Sequence, residues 1–165
     1  MYAVRLEMEE QADLSSEPPP EPTVTIDCEE SIDVAWLETK VNEALVCMNK
    51  DSSCISIAVV SDDKMATLHS EHAGIDETTD VLTFDHGSDQ DKVDADIAVC
   101  IDVASRAADE REHSLESELL LYIVHGILHC AGFDDHSDEE HAHMHREEDR
   151  ILQAIGVGTI WSNGS

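Results

Sequence analysis

From Thr23 the chain alternates: T-V-T-I-D-C sets Val24, Ile26 and Cys28 against Thr23, Thr25 and Asp27, the two-residue period of a strand with one buried face. The period then lengthens. Between Ile32 and Lys50, apolar Val34, Leu37, Val41, Leu45 and Met48 recur at three- and four-residue steps, which predicts a helix with a single apolar face. C-I-S-I-A-V-V, from Cys54, is β-branched and bounded by polar residues, so it predicts a second strand running into a short helix near Asp63 to Ser70. T-D-V-L-T-F and A-D-I-A-V-C-I predict two further strands, separated by the turn-rich D-H-G-S-D-Q-D-K. Helices are expected over about 103–111, 114–131 and 137–155. Strands gather early and helices late, so the expected fold class is α+β: a small mixed sheet of about four strands covered by helices.

The alternation has no counterpart before Thr23. Residues 15 to 22, S-S-E-P-P-P-E-P, can continue neither a helix nor a central strand, and the acidic segment ahead of them has little to bury. Residues 1–22 are therefore expected to form a flexible acidic, proline-rich tail, 23–157 one domain, and 158–165 a C-terminal tail. A length of 165 residues suits one domain with its own core. No apolar run approaches the roughly 20 residues of a membrane span, and the N-terminus lacks a basic segment followed by an apolar one. A cytoplasmic location without membrane contact is expected.

Charge narrows the choice of partners. Nine Lys and Arg against 38 Asp and Glu give a net charge of −29, which repels polyanions over the whole surface. This argues against a generic nucleic-acid binder and against DNA; it suits a salt-adapted surface or a basic partner such as a ribosomal protein. Five cysteines (Cys28, Cys47, Cys54, Cys100 and Cys130) form an odd set without a C-x-x-C pair, so they predict neither a disulfide framework nor a cysteine zinc finger. Most are expected to be buried, reduced thiols.

The chemistry concentrates in H-G-I-L-H-C-A-G-F-D-D-H, from His125 to His136. The preceding L-L-L-Y-I-V is strongly apolar, so His125 and His129 ride on a buried helix, where two stacked imidazoles need partners. A metal supplies one to both, because residues four apart share a helix face with Cβ atoms roughly 5–6 Å apart. Gly132 can adopt the left-handed conformation that stops a helix, and the returning F-D-D-H can bring His136 back as a third ligand, leaving a position open for water or substrate. Asp135 competes for that third place. Asp134 and Asp135 are otherwise candidates to orient a ligand or transfer a proton. His141, His143 and His145 lie among solvated acids and are expected at the surface. Gly126 stands where an H-E-x-x-H peptidase carries its general base, so a metal hydrolase is favoured and a peptidase of that design is not. A low-pKa water would serve phosphodiester as well as carbonyl attack.

These residues resemble a known family. H-G-I-L-H-C-A-G-F-D-D-H is similar to the H-G-x-L-H-L-x-G-Y-D-H signature of the YbeY family, metal-dependent endoribonucleases and rRNA maturation factors of bacteria. T-T-D-V-L-T-F resembles that family's P-T-D-V-L-S-F strand, A-D-I-A-V-C its G-D-I-x-I strand, and the likeness extends over about residues 23 to 157. The resemblance implies one Zn²⁺ per chain on His125, His129 and His136, and single-stranded rRNA precursor as substrate. It also implies action at the 3′ end of small-subunit rRNA and in ribosome quality control, with the small ribosomal subunit as partner. Two departures stand out. The signature carries D-D-H for D-H, and the arginine of the family's L-N-x-x-Y-R-x-x-D falls on Ala73, removing a phosphate contact. An acidic surface without that arginine also suits a non-catalytic ribosome-assembly factor whose zinc is structural.

Overall fold

The computed structural model describes residues 22–50 and 53–161. Of the expected N-terminal tail only Pro22 is among them; residues 1–21 lie outside, as do 162–165 of the C-terminal tail. Among the described residues are four strands, β1 (Thr23–Cys28), β2 (Cys54–Val60), β3 (Val81–Asp85) and β4 (Asp94–Cys100), and five helices, the last three of which follow β4. These are α1 (Val34–Cys47), α2 (Asp62–Ala73), α3 (Ile101–Arg111), α4 (Leu115–Cys130) and α5 (Asp138–Ala154). The sheet runs β1-β2-β4-β3. β1, β2 and β4 are parallel, and β3 pairs antiparallel with β4, placing Thr83 opposite Ile97 and Val81 opposite Val99. This is the mixed four-stranded α+β architecture expected from the pattern.

The strand alternation puts Ile55, Ile57, Ala95, Ile97 and Val99 on one face, where they meet Leu37, Val41 and Leu45 of α1 and the apolar length of α4. The opposite face holds a smaller core, Met65 of α2 against Ala98 and Cys100. Helix α4 lies between sheet and helices: Leu119, Leu120, Ile123, Val124, Ile127 and Leu128 are all fully buried. At roughly 1.5–3 kcal/mol per buried aliphatic side chain, these residues anchor the helix firmly in the core. Ser114 caps its N-terminus by accepting from the Ser117 amide. Gly126 lets it approach the sheet closely: a Cβ there would meet Thr83 Oγ1 at 3.0 Å and Ile97 Cδ1 and Val81 Cγ2 at 3.5 Å. The helix stops at Cys130, and Gly132 takes φ +102°, the turn expected of it.

One expectation changes on packing. Of the five cysteines, all free, only Cys100 is buried, and Cys54 is exposed, because position 54 points to the sheet face that α2 leaves uncovered. Ordered packing also runs past residue 157: the Ile160 and Trp161 amides donate to Asp149 Oδ1 at 2.7 and 3.0 Å.

Candidate metal centre

The last two turns of α4 carry His125 and His129, whose Nε2 atoms face each other at 3.1 Å. Asp135, brought back by the turn at Gly132, adds Oδ2 at 3.5 Å from His125 Nε2 and 3.6 Å from His129 Nε2. These separations suit a zinc ion. Four ligands set tetrahedrally about zinc at 2.0–2.1 Å are about 3.3–3.4 Å from one another, and the three observed separations bracket that value. All three side chains remain partly exposed, at 22%, 32% and 29%, so the triangle opens to solvent on one side.

His125 is fixed from behind. Its Nδ1 lies 2.5 Å from Glu148 Oε2 of α5, and Glu148 is fully buried. With Nδ1 engaged there, Nε2 is the atom left for a metal, the arrangement that sets tautomer and ring angle in histidine metal sites. Burial alone would pull the His125 pKa down; the bond to Glu148 and the charges of Glu148, Asp135 and Asp80 outweigh it and leave the pKa above its ordinary value. Cys130 lies outside this donor group, and burial pushes its thiol up to about 11.

His136 is placed differently from His125 and His129. Its side chain is 82% exposed, with Nε2 3.7 Å from Asp134 Oδ1, and it stands outside the donor triangle. At the spacing of the H-G-x-L-H-L-x-G-Y-D-H signature the third donor position past the second histidine is occupied here by Asp135. Of the later histidines, His141 and His143 are exposed as expected, but His145 is half-buried, its ring stacked 3.7 Å from that of Trp161. Sequence reasoning missed Glu148 and Trp161. A signal for Glu148 was present: it shares the apolar helix face of Met144, Ile151 and Leu152, where a carboxylate requires a partner. Ala73, at the exposed C-terminal end of α2, supplies no cation near the site.

A second group of potential ligands, Asp62, Cys100 and Asp102, lies at the start of α2 and α3. Arg106 already engages both Asp62 oxygens at 3.0 and 3.1 Å, and Asp102 accepts from the Asp62 amide at 2.8 Å. Those bonds tie the two helix starts together.

An imidazole pair and a carboxylate, opening to solvent at the end of a buried helix, define a candidate metal-dependent hydrolase on an α+β scaffold. The chain belongs to the YbeY family: the sequence model described as "Endoribonuclease YbeY" matches residues 24–156. Endoribonuclease YbeY of Heliobacterium modesticaldum is 35% identical over 121 residues, covering 66% of this chain and 73% of that one. The Finegoldia magna protein of the same name is 30% identical over 81% of this chain and 84% of its own. A chloroplastic relative from Arabidopsis thaliana is 34% identical over 62% of this chain and 18% of that much longer protein. The solution structure of TM1509 from Thermotoga maritima has the same fold, with a TM-score of 0.54 and 24% identity over 81% of this chain and 90% of that one. The relatives' named activity is endoribonucleolytic, which makes this an enzyme of the hydrolase class. No helix of the described residues is long and apolar enough to cross a membrane.

Proposed function

We propose that the protein is a zinc-dependent, single-strand-specific endoribonuclease of rRNA maturation, acting at the 3′ end of small-subunit rRNA and in ribosome quality control, in the cytoplasm. The observation that carries this reading is the convergence of His125 Nε2, His129 Nε2 and Asp135 Oδ2 within 3.1–3.6 Å in a chain of an endoribonuclease family. His125 and His129 would hold one Zn²⁺ per chain. Asp135 is the favoured third donor by distance, and His136 its competitor by residue type. When bound, the metal supplies Lewis acidity, polarising a phosphodiester oxygen and lowering the pKa of water.

The protein's own residues do the rest. Glu148 holds the proton on His125 Nδ1 and so keeps the Nε2 lone pair directed at the site. Gly126 cannot act as base, and its position faces the sheet rather than the donor triangle. The exposed Asp134 Oδ1 and His136 Nε2, in the same turn as Asp135, are candidates to move a proton toward the leaving oxygen. Substrate selection is compatible with the charge of −29 if the RNA is presented by a small ribosomal subunit, or by a basic ribosomal protein whose charge complements this surface.

The test is cleavage of a single-stranded rRNA precursor, with and without small subunits, by zinc-loaded protein, by chelated protein and by His129→Ala. Cutting that disappears with chelator and with His129→Ala supports the reading. Loaded protein that leaves every substrate intact at several salt concentrations overturns it. Ala73 and the acidic surface favour a second reading, an assembly factor with a structural metal. That reading is discarded if His129→Ala abolishes cutting while fold and subunit association persist.

A further inference from the structure

We propose that Trp161, acting through Glu148, is a positioning residue that sets the His125 imidazole for metal binding; the inference rests on the metal-site reading above. The two oxygens of the fully buried Glu148 carboxylate serve different partners. Oε2 takes His125 Nδ1 at 2.5 Å, and Oε1 accepts from Trp161 Nε1 at 2.7 Å. A carboxylate held at one oxygen can still turn about its terminal bond, whereas one held at both cannot. The indole N–H thus fixes the plane of the group that fixes His125, and with it the direction of Nε2 toward His129 and Asp135.

Trp161 is itself firmly placed. Its ring stacks on His145 with centroids 3.7 Å apart and 7° between planes, and the Arg111 guanidinium lies 4.4 Å from the ring centre. Two groups that close cannot share one face of the ring, so the indole is held between α5 and the end of α3. Its amide and that of Ile160 are anchored on Asp149. The matched family stretch ends at residue 156, so this clamp comes from sequence beyond it. It gives the C-terminal segment a task at the metal centre.

The experiment uses the full chain with Trp36→Phe, which leaves Trp161 as the only indole of the two. Zinc affinity is measured by competition with a chromophoric chelator, and site geometry by the visible spectrum after Co²⁺ loading. Thermal melting is recorded beside both. Zinc should change Trp161 emission and saturate at one per chain. Trp161→Phe keeps an aromatic ring for stacking and removes the N–H donor. It should weaken zinc binding roughly ten-fold and alter the cobalt spectrum, and Glu148→Gln should weaken binding by about 10–100-fold, the range for outer partners of metal ligands. If Trp161→Phe binds zinc within two-fold of its parent and gives the parent's cobalt spectrum, the inference is overturned, even if melting falls, because Trp161 is then merely structural. Parent protein that binds zinc without cutting RNA would sink the nuclease reading alone. Parent protein that binds no divalent metal would sink both.

Discussion

Gly126 offers a sharp test of how the metal helix is seated. Replacing it with alanine should gain about 0.8–1.0 kcal/mol of helix propensity. Against this stands crowding on the sheet side, since the new Cβ would sit 3.0 Å from Thr83 Oγ1, tighter than ordinary contact, with Ile97 and Val81 at an ordinary 3.5 Å leaving it little room to shift. Overpacking of a filled core costs typically 1–3 kcal/mol. Thr83 lies on an edge strand and can give way slightly, so the middle of that range applies. The net expectation for Gly126→Ala is destabilisation by about 1 kcal/mol, or a melting temperature lower by about 2–4 °C for a domain of this size. Metal content should not change. Gly126→Glu should fare much worse, because a carboxylate would be driven into the sheet interface, and it should create no peptidase. Differential scanning fluorimetry, metal analysis and a peptide-cleavage assay read all three. An alanine variant melting several degrees higher, or a glutamate variant that folds normally and cuts peptides, would refute the placement of this helix face.

Other outcomes follow from the charges. The His125 pKa is raised in the folded protein, and a metal needs the neutral ring. Zinc affinity should therefore fall as pH drops, beginning above the ordinary histidine value of about 6.5. A chelator competition that is flat between pH 5 and 8 would contradict this. Without metal the sign reverses: the charged His125–Glu148 pair contributes stability fully below about pH 6.5, and that contribution is lost as pH rises through the raised folded value. Metal-free protein should accordingly melt lower at pH 8 than at pH 6 relative to a His125→Gln variant. Ala73→Arg should restore a phosphate contact at an exposed helix end, raising single-stranded RNA affinity and steepening the salt dependence by about 0.7 in log–log slope. Filter binding over a salt series checks it, and an unchanged slope would place the RNA elsewhere.

How much of this was legible in the sequence depends on the range of the contacts. The His125–His129 pair and the stop at Gly132 are local, so helical spacing and one glycine suffice to read them. The strands were equally plain, because alternation in T-V-T-I-D-C and C-I-S-I-A-V-V is a property of neighbours. The antiparallel setting of β3 was not readable in detail, since partner choice depends on how the chain returns after α2. Glu148 and Trp161 reach His125 across the α4–α5 packing, and nothing in their local sequence names that partner. The one warning was physical: an acid on an otherwise apolar helix face has to be paired. Asp135 and His136 illustrate the finer limit. Both lie in the turn, both can bind zinc, and only the backbone path after Gly132 decides which side chain points to the pair.

In the proposed site a metal is held by the end of α4 and the turn after it, with Asp135 completing the donor set. Metal content of untagged protein, compared across wild type, Asp135→Ala, His136→Ala and His129→Ala, tests it most directly. One zinc per chain is expected in wild type and in His136→Ala, with zinc lost from His129→Ala and Asp135→Ala. Zinc retained by Asp135→Ala and lost from His136→Ala would contradict the proposed donor set and return the third place to the histidine.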